Sequence, residues 1–318
     1  MKSIASAPAK IILFGEHFVV HGTKAILAAI DRRVTATSTF TDNKTIKVNS
    51  QLGTIEVPIS SSHEEAWRVL FRPFVYLANE MITSNQDVNG LEITINSDIP
   101  IGVGLGSSSA CCVAAAASIS GLFNELSREE IVNLAIDAEK TIFPDTSGAD
   151  CTVCTYGGMI IYDKISGIEK IDNTSDLNFI ITNTMIPHST KRSVEKVNKF
   201  KEDYALEWTI MFDDMEGIID NAIQDIKNND AITLGKKMFA NHQKLSAIGV
   251  SNDTLDEVIY RLNKISLGSK ITGAGDGGCI ITLVEEENID KAPEIVGNDK
   301  ECFSVKIDTK GVEWKREK

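Results

Sequence analysis

Pro100-Ile-Gly-Val-Gly-Leu-Gly-Ser-Ser-Ser109 is the stretch on which the reading of this chain turns. Before it, Leu91, Ile93 and Ile95 alternate with Glu92, Thr94 and Asn96, the period-two pattern of a half-buried strand. After it, Ser107–Phe123 is rich in Ala and Ser and contains no Gly or Pro before Gly121, as in a buried helix of small side chains. Glycines at 102, 104 and 106 remove side chains and let backbone N–H groups face a ligand. The helix N-terminus adds unpaired N–H groups and roughly half a positive charge. Strand, glycine turn and helix together make an anion site, best suited to phosphate. It is not a Walker A loop, because Ser107 stands where that loop needs Lys, and the glycine spacing is not the G-x-G-x-x-G of a dinucleotide fold. The bland alternative is a flexible turn ahead of a buried helix.

Outward from the loop, Ser3–Asp31 reads as strands broken around Gly15 and Gly22, and Arg33–Phe40 as a further strand. The spacing predicts a helix over Glu64–Met81 with Trp67, Leu70, Val75, Leu77 and Met81 on its inner face. Ser127 and Glu130 form a capping box for a helix that ends near Lys140, and Pro144–Gly148 is a loop. Strand resumes at Gly157–Tyr162. Polar Lys164–Asp176 then divides the chain into residues 1–176 and 177–318. In the second half, Leu177–Thr182, Ser269–Thr272, Cys279–Val284 and Phe303–Ile307 read as strands, with helices over roughly Ser193–Ile248. The fold class is α+β, the second half a small antiparallel sheet with helices on one side.

The 318 residues, 42% apolar and 24% charged, suffice for one large or two ordinary globular domains. A net charge of −13 with scattered lysines carries no basic stripe, which argues against nucleic acid as a partner. Any polyanion must therefore be held by local devices. Ala110–Ile119, the longest run of small apolar residues, is too short to span a bilayer, and no secretory signal precedes it. Six cysteines in this length are no disulfide scaffold, so free thiols in a reducing cytoplasm are expected. Cys151-Thr-Val-Cys154 lacks the second pair that a zinc site would want and reads as packing.

Two more segments join the loop. Ala5–His17 places Lys10, Glu16 and His17 on an otherwise apolar strand, where charge is costly unless paired. Thr272-Gly-Ala-Gly-Asp-Gly-Gly-Cys279 is a second glycine-rich turn between strands. With Pro8–Gly22, Pro100–Ala110 and Thr272–Cys279 in this order, the chain resembles the GHMP kinase superfamily over nearly its whole length. Within it the chain is most similar to the mevalonate kinases: Ala7–Gly22 fits their A-P-x-K-x-x-L-x-G-E-H-x-V-V-x-G, and Pro187–Lys191 and Asn241–Ser251 resemble their segments. Galactokinases would have Arg for Lys10 and Thr-Asp-Tyr for Phe18-Val-Val20. Asp276 departs from the family by interrupting its third glycine run, where a carboxylate would repel a triphosphate unless it pointed away.

The resemblance implies a two-domain fold, a ribosomal-protein-S5-like α/β domain followed by a ferredoxin-like α+β domain. It implies transfer of phosphate from ATP to a small alcohol, mevalonate first among candidates, with Mg²⁺ as cofactor and a homodimer as the family's assembly. ATP would lie on Pro100, Ile101, Gly102, Val103, Gly104, Leu105, Gly106, Ser107, Ser108, Ser109 and Ala110. Ser108 and Glu139 would hold the metal. Asp150, eleven residues after Glu139, would be the catalytic base, with Lys10 beside it. Glu16, His17, Thr190 and Ala274 correspond to substrate-side positions, His17 and Thr190 as partners for a carboxylate or hydroxyl. Without the resemblance, Glu139 reads as a solvated helix carboxylate paired with Lys140 and Asp150 as a helix N-cap; with it, the alternatives are a kinase for another small alcohol or isoprenoid precursor, such as phosphomevalonate or a sugar, and a non-catalytic ligand sensor on the same fold.

Overall fold

The computed structural model describes residues 1–83, 88–123, 126–172, 177–187, 189–297 and 299–317. Its first sheet is built from β1 (Lys2–Phe14), β2 (Ala25–Phe40), β3 (Thr45–Ser50), β4 (Gly53–Pro58), β5 (Leu91–Ser97), β6 (Met159–Asp163) and β7 (Gly167–Ile171). Helices α1 (Arg72–Thr83), α2 (Ser107–Ser120), α3 (Arg128–Lys140) and α4 (Ala149–Tyr156) belong to the same half. β8 (Asn178–Asn183) opens a second sheet. Then come α5 (Thr190–Asp203), α6 (Ala205–Lys227), α7 (Ala231–Ala247), α8 (Asp253–Leu262), β9 (Gly268–Thr272), β10 (Cys279–Val284), α9 (Ala292–Val296), β11 (Glu301–Lys306) and β12 (Glu313–Glu317).

The first sheet runs β12-β1-β2-β5-β3-β4, with β6 paired to β2 and β7 to β6. Only β3 and β5 pair in parallel; the other pairs are antiparallel. α2 packs on β1 and β2, as its composition requires: Ala110 and Ala114–Ala117 are wholly buried, and side chains this small let the helix approach the sheet closely. The second sheet, β11-β8-β10-β9, is antiparallel throughout. Gly235 of α7 and Gly268 of β9 meet backbone to backbone, leaving no room for a Cβ on either.

Several expected elements change. Ser3–Asp31 and Arg33–Phe40 are not three short strands, because β2 runs without a break from Ala25 to Phe40. Glu64–Met81 is not one helix: single 3₁₀ turns at His63–Glu65 and Val69–Phe71 precede α1. The altered phase turns Trp67 and Leu70 outward, 74% and 57% exposed, while Val75 and Leu77 stay in the core. β3, β4 and α8 were not read from the sequence. Polar Lys164–Ile171 is a hairpin strand and its turn, its residues largely exposed; residues 173–176 lie outside the described residues.

The last strand returns to the first sheet, Lys2–Ser6 pairing with Glu313–Glu317, so the chain crosses between its halves twice. Arg33 and Asp308 tie this return. The Arg33 guanidinium pairs with the Asp308 carboxylate and donates to the carbonyls of Ser6 (2.8 Å) and Gly311 (2.7 Å). Asp308 also accepts from the N–H groups of Lys310 and Gly311, and its own carbonyl receives Gly158 N–H at 2.7 Å. Asp308→Ala would leave the mostly buried guanidinium with only the more exposed Glu313, 3.7 Å away, as a carboxylate partner. Stability is expected to fall by about 2–4 kcal/mol, toward the lower end for a buried pair because Arg33 keeps some solvent. The urea midpoint should drop with the m-value unchanged.

Candidate active site

Lys10 lies on β1 and is almost wholly buried, 5% exposed. Its backbone N–H donates to Leu105 O at 3.0 Å, which seats the glycine loop directly over the strand. Its side chain runs beneath Gly106: a Cβ there would come within 2.5 Å of Lys10 Cγ. Gly106 is also the N-cap of α2 and left-handed (φ 72), so glycine is required twice over. The Lys10 ammonium ends 3.1 Å from Asp150 Oδ2, in the first turn of α4. Asp150 is therefore not the N-cap; Gly148 is.

Beyond that pair opens a cavity of about 840 Å³. Residues Pro100 to Ser109 form one wall, with Lys10, Glu139, Asp150 and Thr190 among its other polar lining. Leu52, Phe71, Phe74, Ile101 and Phe143 make its apolar side. Ala110 is buried within α2 and does not line it. Thr190 begins α5 behind the N-cap Ser189. His188 lies outside the described residues.

Glu139 is not a solvated carboxylate. It is 3% exposed, and Lys140 pairs instead with Asp137 at 2.7 Å. Ser109 Oγ donates to Glu139 Oε1, and Thr146 Oγ1 to Oε2 at 2.6 Å. Cys151 Sγ stands 3.7 Å from the same oxygen. All these partners are neutral, and among the described residues no cationic side chain pairs with this carboxyl group. Ser108 is half-buried at the start of α2 and lines the cavity. Burial pushes the Cys151 and Cys154 thiols well above their ordinary range, and all six cysteines are free.

The remaining expected residues form a second cluster, away from the cavity lining. His17 Nε2 donates to Ala274 O at 2.9 Å, which joins the first motif to the third. Burial lowers the His17 pKa, partly offset by that hydrogen bond, so the ring is neutral and its Nδ1 is an acceptor. Glu16 has a protein partner: Lys270, fully buried on β9, donates to Glu16 Oε1 and to Ile271 O (2.8 Å). Burial pushes the Glu16 carboxyl up and the Lys270 ammonium down, each offset by attraction to the other. Thr272 Oγ1 bonds both the N–H and the carbonyl of Ile12, each at 3.1 Å. Lys270, Thr146 and Thr272 are not among the residues expected from the sequence, and Ser109 is expected on the ATP side and not as a partner of Glu139. Only Lys270 leaves a signal there, as the single charge between Lys264 and Asp276.

The glycine loop, the Lys10–Asp150 pair and a buried glutamate without a cationic partner thus share one cavity. The GHMP kinases N terminal domain matches residues 69–158, and the GHMP kinases C terminal domain matches residues 222–300. The mevalonate kinase of Thermococcus onnurineus is 35% identical over 314 residues, covering 93% of each chain. The chain belongs to the GHMP kinases. The mevalonate kinase of Aeropyrum pernix is 31% identical and covers 96% of each chain. Among solved structures, the Methanococcus jannaschii mevalonate kinase superposes with a TM-score of 0.83 at 29% identity, over 96% of this chain and 98% of that one. The L. major mevalonate kinase in complex with R-mevalonate gives 0.82 at 25%, over 95% and 94%. This GHMP kinase therefore has the mixed α+β fold expected from its sequence, and it is an enzyme of phosphoryl transfer. Among its described residues no helix is long and apolar enough to cross a membrane.

Gly106→Ala should force the Lys10 side chain aside and strain the start of α2. The expected result is a drop in kcat of tenfold or more with cooperative unfolding retained. Steady-state kinetics and thermal unfolding on the same preparation check it.

Proposed function

We propose that this chain is an ATP-dependent mevalonate kinase, converting mevalonate and ATP to 5-phosphomevalonate and ADP. The observation that carries the proposal is the Lys10–Asp150 pair at 3.1 Å, half-open on the Asp150 side and facing a cavity walled by the glycine loop. Binding alone requires no such pair.

In this reading the N–H groups of the loop and of α2 hold the ATP phosphates. Asp150 accepts the proton of the 5-hydroxyl as that oxygen attacks the γ-phosphorus. The new O–P bond forms as the bond from the γ-phosphorus to the β,γ-bridging oxygen breaks, and ADP leaves with the electron pair. The Lys10 ammonium, 3.1 Å from Asp150, orients that carboxylate and stabilises negative charge on the attacking oxygen. Ser108 and Glu139 would hold Mg²⁺, which when bound neutralises charge on the transferring phosphate. The buried, cation-free carboxylate of Glu139 fits that ion.

His17, neutral with Nδ1 as acceptor, suits a substrate hydroxyl and not a carboxylate. A carboxylate suits the Thr190 hydroxyl at the start of α5, where N–H groups are unpaired. Glu16 and Ala274 act from behind: Lys270 fixes Glu16, and the Ala274 carbonyl fixes the His17 tautomer. Residues 1–176 then form the nucleotide domain and 177–318 the second domain, with β12 reaching back across the division. A cytoplasmic homodimer completes the reading.

Coupled ADP release over mevalonate, phosphomevalonate, galactose and homoserine tests the assignment. Mevalonate should show the highest kcat/KM, and equal or better turnover of another alcohol sinks it. Asp150→Asn should lower kcat by roughly 10²- to 10⁴-fold, the usual worth of a positioned base, with nucleotide affinity nearly unchanged. Near-normal turnover would remove Asp150 from that role.

A further inference from the structure

Asp276 sits in Gly273-Ala-Gly-Asp-Gly-Gly278, between β9 and β10. Its neighbours are glycines for steric reasons. A Cβ on Gly275 would strike the carbonyl oxygen of Val250, and one on Gly277 that of Ile186. Position 276 accommodates a side chain at the cost of a left-handed backbone (φ 61), which aspartate tolerates better than most residues. Its backbone is pinned on both sides: Asp276 N–H donates to Val250 O at 2.8 Å, and its carbonyl accepts from Asn252 Nδ2 at 3.3 Å.

The turn is a poor place for a bare negative charge. A Cβ on Gly104 would lie 3.5 Å from Thr272 O and 3.7 Å from Gly273 Cα, so the turn packs directly against the phosphate loop. Two residues before Asp276, the Ala274 carbonyl holds His17. Asp276 is nevertheless answered by a cation. Lys196 Nζ lies 2.5 Å from Asp276 Oδ1 and donates to Gly249 O at 3.1 Å. The carboxylate is mostly buried, and its Oδ2 has no hydrogen-bond partner, so Lys196 is what offsets its charge. Lys196 projects from α5, six residues beyond Thr190, or about 9 Å along the helix.

We infer that Lys196 and Asp276 are a matched pair that keeps the third glycine turn electrically neutral, so that anionic substrates can dock against it. Lys196 acts as a positioning and charge-compensating residue for substrate affinity, needed because position 276 is not glycine. The inference rests on the phosphotransfer reading in that the ligands concerned are a nucleoside triphosphate and a carboxylate-bearing alcohol.

The test is a cycle of Lys196→Ala, Asp276→Gly and the double variant, with Lys196→Arg as the charge-preserving control. Dissociation constants for a non-hydrolysable ATP analogue and for mevalonate are measured by calorimetry. Lys196→Ala should weaken one or both anions about five- to twentyfold, the range for one uncompensated charge roughly 10 Å away at an effective dielectric of about 20 to 40. Asp276→Gly should bind both at least as tightly as the wild type. The double variant should return to within twofold of the wild type, and Lys196→Arg should match it. The inference is overturned if Lys196→Ala binds both anions normally. It is equally overturned if the double variant stays as weak as Lys196→Ala, because the pair would then be a structural tie and not a charge balance. Wild-type protein that binds the nucleotide but not mevalonate would reject the mevalonate assignment alone, and the nucleotide arm would still decide the pair.

Discussion

The site depends on an ammonium that has been taken out of water. Lys10 sits on a strand between Ala9 and Ile11, both fully buried, and a charge in that position is stable only with a partner close by. Asp150 is that partner, and this fixes the geometry around it. α4 must start where its first turn reaches β1. The loop must cross the lysine stem with no side chain at position 106. The loop's own backbone must bond the strand, which Lys10 N–H to Leu105 O achieves. Aspartate, glycine loop and sheet therefore form one unit.

The same constraint holds the two halves together. Lys270 of β9 ends on Glu16, just past β1, with both side chains essentially without solvent. Thr272 bonds both polar groups of Ile12, and His17 reaches Ala274. Each of these contacts joins the first motif to the third across more than 250 residues of chain. Breaking any one of them leaves a buried polar group unsatisfied, whose penalty exceeds the net worth of the bond itself. The relative placement of the halves at the site is thus set by polar contacts that tolerate little error, with apolar packing supplying the bulk of the stability around them.

Much of this was legible in the sequence because local chemistry and final structure agree. The alternation at Leu91–Asn96, the capping box at Ser127 and Glu130 and the strand–glycine–helix order each specify their own conformation. The reading failed where tertiary contacts decide. Glu64–Met81 has helical spacing, yet its first turns are 3₁₀, and Leu70 lies exposed at the cavity edge. β3 and β4 are half polar because one face is solvated, and β7 is almost wholly exposed. β12 is recognisable only from its partner, β1. At the site, residue types and motif order pointed to Lys10, Asp150 and the loop. The partners that fix Glu16 and Asp276 come from distant segments, and no sequence pattern links Glu139 to Ser109 and Thr146.

Charge balance draws these threads together. The protein carries −13 overall and handles anions, but beyond about 8 Å surface charge is largely screened at physiological ionic strength. What counts is the set of carboxylates shielded from solvent near the ligands. Asp150 has Lys10, Asp276 has Lys196, Glu16 has Lys270, and Asp308, farther along the sheet, has Arg33. Among the described residues Glu139 alone of the buried carboxylates has no such cation; two hydroxyls and a thiol surround it. Neutral donors can orient a buried carboxyl group but supply no opposite charge, so the protein leaves one such group without a cation at the wall where phosphates would arrive. Adding a triphosphate there raises the imbalance further. In the proposed reaction a divalent cation held by Glu139 would offset both, and Glu139, bonded to Ser109 of the loop, is the buried carboxylate that this fold leaves without a lysine.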